Sequence, residues 1–170
     1  IKPYLIDTMI ERLVIRQPQL RWPVTQGIEN TAKGLTIENV SRRAKYIIVS
    51  LTTGSFLIHL GMSGSLRLIT NSDSLKKHDH IQMYLSNGHV LTFHDPRRFG
   101  CWLWSKYDHA LLEKLGPEPL SSNFSGEYLW NKARKRKAPV KSFIMDSRIV
   151  VGVGNIYANE ALFELSLIHI

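Results

Sequence analysis

The sequence has 170 residues, enough for one full-sized domain or two small ones, and its 44% hydrophobic content excludes a disordered chain. A net charge of +8 favours a polyanionic partner such as nucleic acid, although charge alone leaves a merely basic, soluble surface equally open. The single cysteine excludes an internal disulfide, and no apolar run is long enough to span a bilayer, so we expect a cytoplasmic protein without a membrane partner.

The first 110 residues have the pattern of short strands separated by turns. The chain opens at Ile1 in a pattern typical of the end of a helix. Asn87-Gly88, between two apolar runs, is the strongest hairpin signal in the chain. The predicted strands are 12–16, 35–40, 46–51, 56–60, 66–69, 81–85 and 90–93. Strands of this length and spacing predict an antiparallel sandwich or barrel.

After about residue 110 the pattern becomes helical. Gly116-Pro117-Glu118-Pro119 breaks the chain, and helix-start residues follow at 121–125. The predicted helices are 126–137, with a strongly basic end, then 140–145 and 155–165, the last one capped by Asn155. We therefore predict an α+β protein: an antiparallel β domain over residues 1–110 and a helical domain over residues 111–170, with a ligand cleft between them.

Two loops carry an apolar side chain beside glycines, and one of them also contains two arginines. Met62 lies within His59-Leu60-Gly61-Met62-Ser63-Gly64, and Phe99 lies within Asp95-Pro96-Arg97-Arg98-Phe99-Gly100. An exposed apolar tip is costly in water, but it suits a wedge that enters a base stack while arginines hold phosphates or an orphaned base. Taken singly, each tip is more simply read as a cover for a local core. Taken together, with Arg97 between them, they favour the wedge.

Lys45 and the His78-Asp79-His80 stretch carry other candidate chemistry. A lysine entering an apolar strand can have a lowered pKa that suits proton transfer, although an ordinary phosphate-contact or surface lysine is equally compatible with the pattern. On a strand, His78 and His80 share one face and Asp79 lies on the other. Since no cysteine cluster supports a metal site, DNA contact by one histidine is favoured, and structural hydrogen bonding comes next.

The helical half offers two phosphate-binding features. Gly154-Asn155 at a helix start presents backbone N–H groups and an amide side chain, which suit a phosphate clamp and equally a simple helix cap. Lys137 and Lys141 flank Pro139 and either reach phosphates or solvate the helix. The density of lysines and arginines there favours phosphate contact.

These stretches, in this order and together with 20–24, 115–120 and 150–158, resemble the formamidopyrimidine-DNA glycosylase family of bacterial enzymes, which remove oxidised purines. The resemblance covers nearly all of the chain. It implies a β-sandwich followed by a helix–two-turn–helix DNA-binding module. It also implies a double-stranded DNA partner that contains an oxidised base, such as 8-oxoguanine or a formamidopyrimidine.

The resemblance also implies roles for individual residues. Lys45 matches the proton donor of β-elimination. Three residues match those that fill the gap left by a flipped nucleotide: Met62, Arg97 and Phe99. The remaining matches are DNA-binding positions: His78, Arg97 and Lys137, with His59 and Asn155 at phosphates near the lesion.

The chain departs from the family pattern at both ends. Family members begin with a proline whose secondary amine attacks the sugar to form an imine, followed by catalytic glutamates, and this segment is absent. They end with a four-cysteine zinc finger whose arginine serves δ-elimination, whereas Cys101 lies far from any such pattern. We therefore expect a monomeric fragment, truncated in both domains and inactive alone, with zinc only in the intact protein. Residues 165–170 also depart from the family, and we do not expect them to be native.

Three other functions stay open at this point. A DNA-binding module without catalysis fits the missing nucleophile. A related glycosylase for oxidised pyrimidines shares the helical module, but the Met62 loop and residues 95–100 favour the purine enzymes. An RNA- or ribosome-binding protein fits the charge but is disfavoured by the ordered motifs.

Overall fold

The computed structural model describes residues 1–70 and 75–167 and divides the chain into two compact units, Ile1–His109 and Ala110–Ile170. The first unit is mainly β and the second is helical. The described strands all lie in the first unit, which also has two short helices, and the α+β prediction is confirmed. The expected non-native end falls partly on residues 168–170, which lie outside the described residues.

The first unit contains two four-stranded antiparallel sheets. Its elements in chain order are α1 (Lys2–Leu5), β1 (Ile10–Ile15), α2 (Ile28–Ala32), β2 (Ile37–Arg43), β3 (Tyr46–Leu51), β4 (Gly54–His59), β5 (Ser65–Thr70), β6 (Asp79–Leu85), β7 (His89–His94) and β8 (Cys101–Ser105). One sheet has the order β1-β6-β7-β5 and the other β2-β3-β4-β8. A single apolar core includes buried residues of both sheets and of both helices, so the sheets pack as a sandwich.

The seven predicted strands are present, with ends shifted by up to three residues, but β8 and α2 were not predicted. β8 reads Cys-Trp-Leu-Trp-Ser and carries apolar residues on both faces, so it lacks the alternation that marks a half-buried strand. α2 has five residues, too few to show a helical period. At the predicted hairpin, Gly88 has a φ of 81°, which supports the tight turn between β6 and β7.

The second unit contains α3 (Ala110–Glu113), α4 (Gly126–Ala133), α5 (Val140–Ile144) and α6 (Asn155–Glu164). Its buried apolar residues are Phe143, Ile149, Val150, Val151, Ala158 and Leu162. Tyr128 Oη donates to Ile149 O at 3.0 Å, and Gly116 N donates to Ser147 O at 2.8 Å. These bonds fasten α4 and the segment before it to the turn that precedes α6.

One predicted helix boundary and one predicted helix cap were wrong. α4 ends at Ala133 rather than at residue 137, because like charges accumulate after Lys132 and oppose further helix, and Lys135 adopts a φ of 64°. Asn155 does not cap α6: Gly154 is the N-cap residue, Asn155 is the first helical residue, and no side chain caps this end. A glycine N-cap has no side chain to accept the first N–H groups of the helix.

In the described part of the chain, the helices are all too short or too polar to cross a lipid bilayer.

Replacing Phe56 with alanine tests the sandwich core. Phe56 is fully buried on β4, and its ring makes edge contacts with Trp102 at 5.5 Å and Trp104 at 5.3 Å. We expect Phe56→Ala to lower the free energy of unfolding by about 3–5 kcal/mol, because a cavity replaces these contacts. Urea unfolding followed by tryptophan fluorescence measures the change.

The matched control is Tyr107→Ala, an aromatic residue of the same unit that is 79% exposed. Its effect should stay within about 0.5 kcal/mol. Equal losses for the two variants would contradict the assignment of Phe56 to the core.

Candidate nucleic-acid interface

The antiparallel register brings several chain segments to one end of the sandwich, which we call the loop end. In one sheet Tyr46 pairs with His59 and His59 pairs with Cys101. In the other sheet Ser65 and Asp79 both pair with His94. The β2–β3 turn, the β4–β5 loop, the segment before β6 and the β7–β8 loop therefore all project from this end.

The Met62 loop (Leu60–Gly64) is a tight turn between β4 and β5. Gly64 N donates to Leu60 O at 2.8 Å, and Gly61 has a φ of 62°. Gly61 N also donates to His59 Nδ1 at 2.9 Å, which fastens the loop to the end of β4. The Met62 side chain at the tip is 75% exposed, so it does not cover a local core.

The Arg97 loop (Asp95–Gly100) joins β7 to β8. Arg98 N donates to Asp95 O at 3.2 Å and Gly100 N donates to Asp95 Oδ2 at 2.8 Å, and both bonds curl the loop around Asp95. Arg98 adopts a φ of 55°. The Phe99 side chain is 49% exposed at the surface of this loop.

The two loops meet through one guanidinium group. Arg97 Nη2 donates to Met62 Sδ at 3.2 Å, and the Arg97 guanidinium carbon lies 5.1 Å from the centre of the Phe99 ring. A soft sulfur acceptor and an aromatic ring both interact favourably with a cation. Two exposed apolar side chains and a cation therefore form one surface feature, the Met62–Arg97–Phe99 cluster.

The exposed charge around this cluster is positive. Exposed cations of the loop end are Arg21, Lys45, Lys76, Lys77, Arg97 and Arg98. Among the described residues of the same segments, the acids Asp79 and Asp95 are buried. A surface that exposes cations and buries its acids attracts polyanions.

Lys45 lies in surroundings that differ from the predicted ones. Arg43 pairs with Tyr46, so Ala44 and Lys45 form the two-residue turn between β2 and β3, where Ala44 has a φ of 54°. Arg42 Nη1 donates to Ala44 O at 2.8 Å and supports this turn. Because the turn projects away from the sheet, Lys45 is exposed, and the expected low-dielectric environment is absent.

His59 is half-buried at the end of β4, with its ring 5.1 Å from that of Tyr46. Burial, reinforced by the positive charges of Arg21 and Lys45, lowers the pKa of His59 below 6.5. Its Nδ1 accepts the Gly61 N–H, so the neutral ring carries its proton on Nε2. His59 therefore offers a neutral N–H donor at the loop end.

The rings of His78 and His80 lie 6.1 Å apart, in agreement with the predicted shared face. A register shift between Asp79 and Ile81 disturbs the pleat, and His94 contacts both the His78 ring, at 5.9 Å, and Asp79 Oδ1, at 2.9 Å. Asp79 also accepts from Arg67 Nη2 at 2.6 Å. Burial alone would raise the pKa of Asp79, but hydrogen bonds from Lys76 N–H and these side chains lower it.

His80 has a structural hydrogen bond, since its Nε2 donates to Asp95 O at 2.8 Å. His78 is partly exposed at the loop end, with its ring 6.1 Å from that of His80. Of these two histidines, His78 is therefore the one that solvent reaches.

The remaining predicted residues, Lys137 and Asn155, lie in the second unit. Lys137 is exposed in the segment between α4 and α5, within the basic stretch that starts at Lys132. Asn155 is exposed at the first position of α6 and is followed by exposed Ile156 and Tyr157. The start of α6 therefore presents an amide and backbone N–H groups to solvent.

The described residues do not fit a zinc site. Cys101 is buried, and burial raises the pKa of its thiol to about 11, so it is a protonated core residue. Within residues 1–70 and 75–167 there is no group of three or more His, Cys, Asp or Glu side chains that could hold a metal ion.

The residue-by-residue prediction of the site missed Arg21. Its backbone N–H donates to Gly100 O at 3.1 Å, and its guanidinium carbon lies 4.6 Å from the centre of the Trp22 ring. Its charge acts on both His59 and Tyr46, so it belongs to the loop end. The available signal was an arginine directly before a tryptophan, in Leu20-Arg21-Trp22-Pro23.

The fold and this surface together define a two-unit protein in which a β-sandwich with cationic, apolar-tipped loops precedes a helical unit. Residues 1–102 match the family model of the formamidopyrimidine-DNA glycosylase N-terminal domain, and residues 115–169 match that of its helix–two-turn–helix domain. The chain therefore belongs to the formamidopyrimidine-DNA glycosylase family.

Named relatives and solved structures agree with this assignment. The chain is 52% identical to the formamidopyrimidine-DNA glycosylase of Marinobacter nauticus and 50% identical to that of Pasteurella multocida, in each case over 98% of its length. It spans 63% and 62% of these relatives. The Lactococcus lactis enzyme, non-covalently bound to DNA that contains an AP site, superposes with a TM-score of 0.86 at 29% identity. That match covers 95% of this chain and 64% of the other.

Removing the charge of Arg21 tests the electrostatics of the loop end. Because the Arg21 cation helps to lower the pKa of His59, Arg21→Gln should raise this pKa toward 6.5, as measured by NMR titration of the His59 ring. The control Arg12→Gln removes a cation that lies over Tyr84 in the other sheet and should leave the pKa of His59 unchanged.

The sign of the accompanying stability change is fixed by linkage. In the unfolded chain His59 takes up a proton near pH 6.5, whereas in the folded chain it stays neutral to a lower pH. The free energy of unfolding is therefore unaffected by His59 above pH 6.5, and it decreases as the pH falls from there through the lowered pKa. Arg21→Gln should shrink that loss. An unchanged His59 titration in Arg21→Gln would show that Arg21 lies too far away to act.

Proposed function

We propose that the intact protein is a DNA glycosylase that removes oxidised purines from double-stranded DNA and cleaves the resulting abasic site as a lyase. One contact carries this inference. Arg97 joins two exposed apolar side chains, Met62 and Phe99, into a single protrusion at a cationic end of the sandwich. The family relationship, and the solved complex of the Lactococcus lactis enzyme with DNA that contains FAPY-dG, support the same substrate class.

The physical basis is the energy of a flipped base. Extruding a nucleotide costs a few kcal/mol of stacking and leaves a void that water fills poorly. Met62 and Phe99 supply apolar atoms for that void, and Arg97 supplies donors for the base left without a partner. The same three side chains gain little from an intact stack, so they favour a duplex that is already opened.

The other residues of the loop end suit phosphate binding. The Nε2–H of neutral His59 donates to a phosphate oxygen and adds no further positive charge to the loop end. His78 adds a further partly exposed DNA contact beside His94. Lys137 and the start of α6 at Asn155 provide matching donors on the helical unit.

The chemistry follows from the family resemblance. A terminal secondary amine in the amino-terminal segment attacks C1′ of the sugar, while the glycosidic bond breaks and the damaged base leaves with a proton. Opening of the sugar ring then gives an imine, which acidifies the C2′ proton, and loss of that proton expels the 3′-phosphate in β-elimination. We propose that Lys45, exposed on its turn, donates the proton of β-elimination. The δ-elimination step and the zinc ion belong to the carboxyl-terminal finger of the family, and no step through either is assigned to the residues described. We further propose that the protein acts as a monomer on DNA in the bacterial cytoplasm.

Binding to a duplex with a tetrahydrofuran abasic analogue separates gap-filling from phosphate contact. Arg97→Ala should reduce the preference for this duplex over an intact one by about 1–3 kcal/mol, because the void loses its polar filler. Lys137→Ala should weaken both duplexes equally and reduce the salt slope by about 1. Fluorescence anisotropy over a range of NaCl concentrations measures both effects.

An equal loss of affinity for the two duplexes in Arg97→Ala would show that Arg97 contacts phosphates and does not fill the gap. Binding by the unaltered chain that does not depend on salt would contradict the whole proposed interface.

Borohydride trapping tests where the nucleophile resides. A polypeptide of these 170 residues, beginning at Ile1, should give no stable adduct with duplex that contains 8-oxoguanine, because the proline amine of the family is not among its residues. An intact family member is the positive control. An adduct of comparable yield from the 170 residues would show that another amine, such as that of Lys45, forms the imine.

A further inference from the structure

The two loops of the interface are joined beneath their tips by one buried carboxyl group. Asp95 is fully buried at the start of the Arg97 loop, and Ser63 belongs to the Met62 loop. We propose that Ser63 and Asp95 are positioning residues that fasten the two loops together, so that Met62, Arg97 and Phe99 enter a duplex as one preformed wedge. This inference rests on the proposed DNA function and names the device that shapes its surface.

The two oxygens of Asp95 bond to different loops. Oδ1 accepts from Ser63 Oγ at 2.8 Å, and Oδ2 accepts from Gly100 N at 2.8 Å. Ser63 directly follows Met62, and Gly100 directly follows Phe99. One carboxyl group therefore restrains both apolar tips from the next residue along the chain.

The position of Asp95 is itself fixed by the sheet. Asp95 N donates to His78 O at 3.1 Å, and Asp95 O accepts from His80 Nε2 at 2.8 Å. His80 is a buried residue of β6. The main chain of Asp95 is thus fixed by His80 of the central strand β6 and by His78 just before it. Its carboxyl group in turn bonds to the two loops.

Close backbone packing makes the junction rigid. A Cβ atom on Gly61 would lie 2.6 Å from Phe99 C and 2.7 Å from Gly100 N. A Cβ atom on Gly100 would lie 2.5 Å from His59 O. The loops approach so closely that only glycine fits at these two positions, and the Ser63–Asp95 bond holds them at that distance.

The advantage of the junction, by which we mean the Ser63–Asp95 bond and the close backbone contacts around it, is entropic. Two independent loops would each lose conformational freedom when their tips enter a gap in the duplex. Loops that are already fastened lose less on binding, so more of the contact energy appears as affinity. The benefit applies only where the tips are inserted, which makes it specific to a duplex with a gap.

The test uses the chain as it stands and a duplex that carries a tetrahydrofuran site with 2-aminopurine in the opposite strand. Ser63→Ala should lower the affinity for this duplex about tenfold and leave the affinity for an intact duplex unchanged. The 2-aminopurine signal, which reports insertion beside the opposite base, should fall in amplitude at saturating protein. Ser63→Thr keeps the hydroxyl group and should restore both values.

Ser121→Ala is the matched control. Ser121 Oγ donates a hydrogen bond of the same length, 2.8 Å, to Glu118 O in the second unit. Its removal should change neither affinity. An equal effect of Ser121→Ala and Ser63→Ala would show that general destabilisation is being measured and would overturn the inference.

A measurement without DNA keeps the inference separate from the proposed function. NMR of methyl-labelled methionine should show that the Met62 methyl signal shifts and sharpens in Ser63→Ala, as the side chain moves away from Arg97 and Phe99. In an Asp95→Ala background, Ser63→Ala should cause no further change, since the bond that the two residues share is already absent. An unchanged Met62 signal in Ser63→Ala would overturn the inference.

The remaining outcomes are also decisive. A shifted Met62 signal with unchanged affinity and 2-aminopurine signal would show that the junction exists but does not serve DNA, which overturns its positioning role. If the unaltered chain failed to prefer the duplex with the gap, the proposed function would fail and the positioning role with it, whatever the methyl signal showed.

Discussion

The antiparallel pairing of β3, β4 and β8 is the constraint on which the interface depends. Each of these strands buries apolar side chains in the shared core, so a slip of one residue would turn core residues outward. The register is therefore fixed by burial rather than by the loops. Once Tyr46, His59 and Cys101 are aligned across the sheet, the turn at Lys45 and both interface loops leave from the same edge.

The core thereby supports an arrangement that would be unfavourable by itself. Met62 and Phe99 expose apolar surface to water, and several cations lie near one another at the loop end. Neither feature stabilises the folded chain, because exposed apolar area and like charges both raise its free energy. Strands that are buried on both faces, such as β6, supply the stability that tolerates these costs.

Much of the fold could be predicted from the sequence because its strongest signals are local. Apolar alternation and the Asn87-Gly88 turn depend on neighbouring residues, and the strands they predicted are present. β8 was not predicted because apolar residues lie on both of its faces, which removes the alternation. The end of α4 was misplaced because mutual repulsion of its charges outweighs the helix propensity of lysine and arginine.

The interface could be predicted only in part. The exposed tips of Met62 and Phe99 were signalled by the glycines of both loops and by the arginines of the Arg97 loop, while their roles and those of the other site residues stay predictions. The exposure of Lys45 depends on a hairpin turn whose geometry the sequence does not state. The Ser63–Asp95 bond joins residues 32 positions apart, and no local pattern marks such a pair.

The two apolar tips differ in how readily they change shape. Phe99 presents a flat, rigid ring with two rotatable bonds, whereas Met62 is an unbranched thioether that bends at several bonds and whose sulfur is easily polarised. A ring fits only a slot of fixed thickness, but a thioether can fill an irregular space. One protrusion therefore combines a rigid side chain with an adaptable one, and under the proposed function this pair suits gaps of unequal width in an opened helix.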